Sequence, residues 1–381
     1  MAAALFKRPG ALRGTLGRLN CPLCLTVHAG CGILHGMNKL DHEARAQILH
    51  LLCEGNSIRA IERLTGASKH TVTRLLIDAG RACGEYQDRV LRNLPCKRIQ
   101  LDEIWSFVYA KNDNVKRAKS APADAGDAWT WTAICADTKL LVSTLVGGRD
   151  SNYAVVFVDD LRSRLANRVQ VTSDGHRPYL TAMDTVFGDE ADYAMLQKIY
   201  GADPVAEKRY SPAKCLGARK AIVTGKPDPK HISTSFAERQ NLTMRMHMRR
   251  FTRLTNAFSK KIENLAYQVA LHQMFYNFVR VHQTLRVTPA MAAGVTPRLW
   301  EIGDIVAVIE AWEAEQATAG ITYEVGENKI GDGFYVKALP RYGEPMDAVY
   351  GFETREAAEA WIEADRAKHR PGRRPKLAAL N

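Results

Sequence analysis

The chain has 381 residues, of which 46% are hydrophobic and 25% charged, and its formal net charge is +12. This is the composition of a globular protein long enough for two or more domains, and no stretch approaches the ~20 apolar residues of a membrane span. The basic balance favours a polyanionic partner, nucleic acid first and an acidic membrane surface second. The eight cysteines indicate reduced thiols in a cytoplasm rather than a disulfide framework.

Residues 1–36 carry a group of possible zinc ligands: Cys21, Cys24, His28, Cys31 and His35. A CxxC pair with further Cys and His nearby is typical of zinc sites. The second pair of ligands is badly spaced, however, and no strand-forming sequence frames it, so we do not expect zinc to bind. A better-formed segment begins at Met37. Two interpretations of residues 1–36 stay open, a poorly defined extension or a mis-assigned start.

Residues 37–95 have the pattern of three short helices. Ser57 caps the second helix, Gly66 lies in a tight turn, and Ser68 caps a third helix predicted over 69–80. Helix, short glycine turn and helix with a polar, basic N-terminal face are typical of a helix-turn-helix DNA-binding domain. Four outward residues of the third helix are the predicted DNA contacts: Lys69, His70, Thr73 and Arg74. A plain three-helix bundle is the alternative.

Residues 96–300 predict an α/β domain with a mixed sheet. Its first strand has apolar residues at both odd and even positions, Leu101 and Ile104 among them, which predicts a sheet covered on both faces. Residues 204–230 hold Pro, Gly and Lys and indicate an insertion loop, and one long helical segment is predicted from Ser235 to Val281. The other elements are strands at 97–110, 129–137, 139–146 and 168–173, and helices at 152–165 and 178–187.

Residues 301–366 predict a small α+β tail domain, in which Thr354 caps a final helix. Its strands and helix are expected at 333–339, 347–352 and 355–367. Residues 367–381 are basic and Pro-rich, which predicts disorder. A minor-groove hook and a solvated basic tail are the two interpretations of that end.

Three acids are candidates for a metal site. Asp102 lies within a strand predicted to be covered on both faces, Asp174 ends the fourth predicted strand, and Glu238 lies in a strongly basic helical segment. A carboxylate inside a covered strand is costly unless it is paired or binds metal. Acids on neighbouring strands and a later helix can converge on two divalent ions, and Mg²⁺ suits oxygen ligands. Glu103 is the rival to Asp102, Asp137 is a further acid, and ordinary helix caps or surface charges are the alternative.

Three runs resemble the acidic blocks of a DDE transposase, in particular those of the bacterial insertion-sequence family IS-one: Leu101-Asp102-Glu103-Ile104-Trp105-Ser106-Phe107, Thr172-Ser173-Asp174-Gly175 and Ala237-Glu238-Arg239-Gln240-Asn241-Leu242. Asn277 to Pro289 is similar to the tail of many integrase-core proteins, and the resemblance covers residues 38–300. It implies a ribonuclease H-like, integrase-type core that cuts and joins DNA with two Mg²⁺ ions, for which Mn²⁺ can substitute. It also implies that Asp102, Asp174 and Glu238 are the catalytic triad and the metal ligands.

The resemblance also implies DNA contacts, because such enzymes often carry a basic residue two helical turns after the last acid. Arg245 stands at that spacing from Glu238, on the same face of the predicted helix, and is expected to contact the terminal phosphate. Asn241 between them and Arg249 beyond are further expected DNA contacts. His282 is an auxiliary candidate, with a structural histidine as the alternative.

The resemblance implies double-stranded DNA as the partner, both the terminal repeats of the element and the target DNA. We expect a dimer or higher oligomer on DNA, no membrane, and a place in the bacterial cytoplasm at the nucleoid. The zinc finger that relatives carry before the helix-turn-helix is reduced here to Cys21, Cys24 and Cys31. A nuclease of the same fold without strand transfer and an inactive DNA-binding regulator are the alternatives.

Overall fold

The computed structural model describes residues 39–200, 215–252, 255–319, 322–327, 333–339 and 349–368. The chain divides into two compact units, Met1–Lys39 and Leu40–Asn381, and the elements below belong to the second. The possible zinc ligands, the two candidate starts and the basic end at 369–381 lie outside the described residues.

Three helices open the second unit: α1 (His42–Cys53), α2 (Ile58–Thr65) and α3 (Lys69–Val90). Asp41, Ser57 and Ser68 each cap one of them by accepting a hydrogen bond from the backbone N–H three residues on. Gly66, with φ of +73°, ends α2 in the left-handed conformation that glycine favours. The third helix continues past its predicted end at residue 80, because its second half is buried against a later helix.

Six strands form the main sheet, in the order β3-β2-β1-β4-β5-β6. Their bounds are β1 (Arg98–Val108), β2 (Gly126–Cys135), β3 (Leu141–Gly147), β4 (Val169–Ser173), β5 (Ala191–Tyr200) and β6 (Cys215–Thr224). β1, β2 and β3 are antiparallel neighbours, β1, β4 and β5 are parallel, and β6 is antiparallel to β5. The predicted mixed sheet is confirmed.

The prediction of a loop over residues 204–230 is wrong for its central part. Cys215–Thr224 forms β6, whose backbone pairs with β5 over most of its length. Most side chains of β6 are exposed, Ile222 and Leu216 included, so the strand is stabilised by its ladder rather than by core packing.

Helices cover both faces of the sheet, as predicted from the apolar residues at odd and even positions of β1. Among the described residues, seven helices lie between α3 and the small C-terminal sheet: α4 (Asn112–Val115), α5 (Ser151–Arg164), α6 (Pro178–Val186), α7 (Ser235–His247), α8 (Ile262–Met274), α9 (Pro289–Ala292) and α10 (Ile302–Ala319). On one face Trp131 of β2 packs against Phe157 of α5 and Tyr179 of α6. On the other, Ile104 of β1 lies in a cluster with residues of α7 and α8, Met244 among them.

The segment from Ser235 to Val281 is two helices, and the prediction of one long helix is wrong. α7 ends at His247, and the next residue is extended, with φ of −120° and ψ of 109°. The chain then runs beside the end of β1, where the Tyr109 N–H donates to the Ser259 carbonyl at 2.8 Å. A π-helical turn, Phe275–Val279, follows α8.

One hydrophobic core runs from α1 and α3 through the sheet to Ile305 and Ile309 of α10. The remaining described elements, β7 (Thr322–Glu327), β8 (Phe334–Leu339), β9 (Val349–Phe352) and α11 (Arg355–Lys368), form a small sheet and helix with a hydrophobic cluster of their own. Thr354 caps α11 as predicted, accepting from the Ala357 N–H at 3.2 Å. Among the described helices, none is both long and apolar enough to cross a membrane.

Candidate active site

The candidate site lies where β1 and β4 separate. The two strands pair only over Arg98–Gln100 and Gln170–Thr172. Beyond that point β1 stays paired with β2 but no longer with β4, so Asp102 and Glu103, which follow Leu101, border a gap between β1 and β4. Asp174, directly after β4, borders the same gap. The carboxyl ends of neighbouring parallel strands are common positions for binding sites in α/β proteins.

Three carboxylates meet at this gap. Oxygens of Asp102, Glu103 and Asp174 all lie within 4.8 Å of one another. Asp102 and Glu103 are neighbours on a strand and therefore leave it on opposite faces, but both reach Asp174 at the open edge. Glu103 Oε2 is buried and has no hydrogen-bond partner. An oxygen-only donor set with one unsatisfied buried oxygen fits a hard divalent cation such as Mg²⁺.

Asp102 is held by two donors. The Asn241 side chain donates from Nδ2 to Asp102 Oδ2 at 2.8 Å, and the Glu103 backbone N–H donates to Oδ1 at 2.9 Å. Burial raises the pKa of Asp102 to about 7, and the negative charges of Asp174 and Glu238 act in the same direction. The Asp102 carboxyl therefore loses its proton near neutral pH.

Glu238 reaches the site from the first turn of α7, which β1 holds in place. The Gln100 side-chain oxygen accepts from the backbone N–H groups of Phe236 and Ala237, at 2.7 and 3.2 Å. The N-cap residue Thr234 makes no side-chain capping bond, so Gln100 satisfies donors that a local cap would otherwise take. This contact holds the start of α7 against Gln100, which lies two residues before Asp102 on β1.

The Glu238 carboxylate has two partners of its own. Oε1 accepts from the Thr234 hydroxyl at 2.6 Å, and Oε2 lies 2.5 Å from Lys198 Nζ on β5. Among the described residues, Glu238 stands outside the 4.8 Å cluster of acids. It lines the same cavity of about 940 Å³ as Asp102 and Asp174, however, so all three predicted triad residues border one space. The other lining residues are Arg149, Gly175, His176, Arg177, Pro178, Leu196, Gln197, Lys198 and Thr234.

Glu103 is almost completely buried on the other side of β1, with 1% of its side chain exposed. Its Oε1 accepts from Arg149 Nε at 3.1 Å, and His176 Nε2 lies 3.5 Å from the same oxygen. Burial raises the pKa of Glu103 to about 8, assisted by the negative charge of Asp174 and opposed by Arg149. Burial also lowers the pKa of His176, and Arg149 acts in the same direction.

The four predicted contacts on α3 lie in its first two turns. Lys69, His70 and Arg74 are exposed. Thr73 is half-buried, and its hydroxyl donates to the Lys69 carbonyl at 2.8 Å. The exposed part of this surface is therefore polar and basic, and none of these residues lines the cavity.

The other predicted contacts lie on or near the second half of α7. Asn241 is 8% exposed, and its amide is engaged with Asp102. Arg245 is half-buried on α7, and Arg249 is exposed in the 3-10 turn that follows. His282 is half-buried beyond the π-helical turn and does not line the cavity, and burial together with nearby cations lowers its pKa.

Several residues that shape the site are not predicted from the sequence. Gln100 acts by capping a helix more than a hundred residues away, which no local pattern signals. Lys198 lies on β5, a strand absent from the sequence prediction. Arg149 stands directly before Asp150, the N-cap of α5, and its contact with Glu103 depends on the fold.

No protein-family model matches the chain, and no curated protein matches it. Among solved structures, the chain is similar to a cryo-EM structure of a piggyBac transposase synaptic complex with hairpin DNA. That likeness has 8% sequence identity, covers 70% of this chain and 69% of the other, and has a TM-score of 0.34. A likeness this distant assigns neither fold nor function, so the proposal below depends on the site.

Proposed function

We propose that the protein is a DDE transposase, which cuts DNA at the ends of an insertion sequence and joins those ends to target DNA. One observation carries the proposal: Asp102, Asp174 and Glu238, far apart in the sequence, line one cavity where β1 and β4 separate. The ribonuclease H-like core is part of the proposal. A mixed sheet with acids on two neighbouring parallel strands, and a third acid on a later helix, supports it.

The proposed cofactor is Mg²⁺, with Mn²⁺ as a substitute. Asp102 and Asp174 would hold it, Glu103 supplies the nearest further oxygen, and Glu238 is the acid across the cavity. When bound, two such ions activate an attacking hydroxyl and stabilise the leaving 3′ oxygen of a phosphodiester.

The chain's own groups prepare the site for an anionic substrate. Asn241 fixes the Asp102 carboxylate through its hydrogen bond, and Lys198 offsets the charge of Glu238. Because burial raises the pKa of Asp102 to about 7 in the metal-free protein, a cation that binds below that pH would displace a proton, and affinity for the cation should rise with pH up to about 7.

DNA docking is assigned to the helix-turn-helix of α2 and α3. The exposed Lys69, His70 and Arg74 at the start of α3 support this, as does the net charge of +12. Contacts to phosphates supply most of the affinity of such proteins, so binding should weaken steeply with salt. Joining two ends requires two sites, and we therefore propose a dimer or higher oligomer on DNA, acting at the bacterial nucleoid.

Strand transfer from pre-cut ends tests the proposal against its rivals. The substrate is a duplex oligonucleotide copied from the DNA flanking the gene, with a free 3′ hydroxyl, mixed with plasmid DNA and Mg²⁺. We expect joined products that disappear in the Asp174→Asn variant. Cutting of uncut ends without joining would instead identify a nuclease, and binding without either reaction would identify a regulator.

A further inference from the structure

Arg149 is held at the cavity by two contacts that fix its guanidinium plane. Its Nε donates to Glu103 Oε1 at 3.1 Å, and its guanidinium carbon lies 4.2 Å from the centre of the Trp129 ring. Stacking on an aromatic face and pairing with a carboxylate both restrict a side chain that is otherwise flexible. Arg149 is therefore preorganised, although 39% of its side chain is exposed.

The way Arg149 meets Glu103 leaves most of its donors unused. An arginine that only neutralises a carboxylate commonly faces it with two parallel N–H bonds. Here the hydrogen bond to Glu103 comes from Nε, and Arg149 also lines the cavity that the triad residues border. Within the part of the chain that the structure describes, neither terminal amino group of Arg149 donates a hydrogen bond, so both can serve a second acceptor at the cavity.

The charges around the cavity indicate what that acceptor is. Asp102, Asp174 and Glu238 line it together with two arginines, Arg149 and Arg177. An anionic substrate beside three carboxylates needs fixed positive charge to offset their repulsion. The planar guanidinium fork matches the oxygens of a phosphate.

We propose that Arg149 binds a non-bridging phosphate oxygen of DNA in the cavity, and that Glu103 and Trp129 are positioning residues for it. The proposal rests on the proposed function, because it takes DNA as the molecule in the cavity. It also explains why Glu103 is buried, since a buried carboxylate destabilises a fold unless a partner such as Arg149 offsets its charge.

The test compares Arg149→Gln in the natural protein with the same change in a Glu103→Gln background. The Glu103→Gln change removes the buried charge that Arg149 neutralises but keeps a side-chain oxygen that can accept from Arg149 Nε, and the stacking on Trp129 is unchanged. Arg149 therefore keeps its position in the second background, whereas a purely structural effect of losing it disappears there. Binding is measured over a range of salt with the duplex oligonucleotide from the flanking DNA, in Ca²⁺, and cleavage is measured separately in Mg²⁺.

In both backgrounds we expect Arg149→Gln to lower the slope of log affinity against log salt by about 0.9, the value for one lost phosphate contact. In the natural background we expect cleavage to slow by about 10²- to 10³-fold, as when one donor to a reacting oxyanion is removed. Arg162→Gln is the matched control, because Arg162 is an arginine of α5 with nearly the same side-chain exposure as Arg149, pairs with Glu190 and does not line the cavity. Arg162→Gln should change neither the salt slope nor the cleavage rate.

An unchanged salt slope for Arg149→Gln in the Glu103→Gln background would overturn the proposal and leave Arg149 as a neutralising partner. An equal change for Arg162→Gln would also overturn it, because the effect would then be one of general charge. The Asp174→Asn variant distinguishes a failure of the Arg149 assignment from a failure of the proposed function. If that variant cleaves normally the proposed function fails, whereas if it is inactive and Arg149→Gln is unaffected, only the assignment of Arg149 fails.

Discussion

Asp102 and Glu103 are adjacent on β1, but they lie in different surroundings. Asp102 is held by Asn241 of α7, whereas Glu103 is held by Arg149 ahead of α5. Burial is the largest cause of the raised pKa of both carboxyls. Ionising two adjacent buried carboxyls destabilises the folded protein, and a bound cation would offset that destabilisation. Their energetics therefore favour a site that binds metal over one that is merely acidic.

The raised pKa of Asp102 predicts how stability depends on pH. The pKa rises from 3.8 to about 7 on folding, so between these values the folded protein holds a proton that the unfolded chain has lost. The free energy of unfolding contributed by Asp102 is thus fully present below pH 3.8 and falls as pH rises to about 7. The Asp102→Asn variant cannot ionise at this position, so it avoids this fall in unfolding free energy. The substituted side chain still has an oxygen that can accept from Asn241.

At pH 8, without divalent metal, we expect Asp102→Asn to unfold with a free energy about 1–3 kcal/mol higher than that of the natural protein. Urea unfolding with a metal chelator present measures this. At pH 5 the advantage should shrink, and added Mg²⁺ should stabilise the natural protein more than the variant. A variant that is less stable than the natural protein at pH 8 would show that Asp102 is not a strained carboxylate.

At the scale of elements, the contact between Gln100 and α7 sets where Glu238 lies. Its side chain is 3% exposed and accepts from two backbone N–H groups at the start of α7. Gln100→Ala leaves those buried donors without a partner. We expect a loss of about 1–3 kcal/mol in unfolding free energy, with slower cleavage because Glu238 is displaced. Urea unfolding and a cleavage assay in Mg²⁺ give the two values.

Thr354→Ala is the control for that prediction, because it removes the cap of α11 in the small C-terminal sheet. It should also cost stability, by about 1 kcal/mol, but should leave cleavage unchanged. If both variants slowed cleavage equally, lost stability rather than the position of α7 would be the cause.

The elements that the sequence predicts are those whose local pattern matches their surroundings. β1 and the first two helices have apolar residues at strand or helix spacing and polar caps, and they form where expected. β6 is missed because its side chains are mostly exposed, so it carries no alternation of buried and exposed positions. The break between α7 and α8 is missed because Ser235 to Val281 contains neither Gly nor Pro. The backbone pairing of Tyr109 with Ser259 accompanies this break.

The candidate site also contains residues that the sequence predicts and residues that it does not. Asp102, Asp174 and Glu238 are recognisable from their sequence blocks, and the fold brings them to one cavity. Their supports, Gln100, Lys198 and Arg149, act across long stretches of sequence. No local pattern distinguishes them from surface residues, because their roles depend on which elements become neighbours.

In the whole molecule, the N-terminal helices predicted to bind DNA contact α7, the helix that carries Glu238. The His247 ring at the end of α7 lies 3.2 Å from the Cys53 carbonyl at the end of α1. Gly55, with φ of +74°, lies so close that an added Cβ would be 2.8 Å from the Met246 carbonyl oxygen. Docking on DNA through α3 and chemistry at α7 would therefore take place on helical parts of the molecule that are in direct contact, rather than on loosely joined domains.

We propose that Glu238, the acid supplied by a helix, completes a catalytic site with Asp102 and Asp174. The most direct measurement compares DNA cleavage and DNA binding by Glu238→Gln with those of the natural protein. The control is Glu263→Gln, the same chemical change at an exposed position in the first turn of α8.

We expect Glu238→Gln to fold and to bind the flanking DNA as the natural protein does, but to cleave it at least about a hundredfold more slowly. Glu263→Gln should retain both properties. Cleavage by Glu238→Gln at the natural rate would contradict the assignment, and would leave the cluster of Asp102, Glu103 and Asp174 as the acids to which any metal-dependent chemistry belongs.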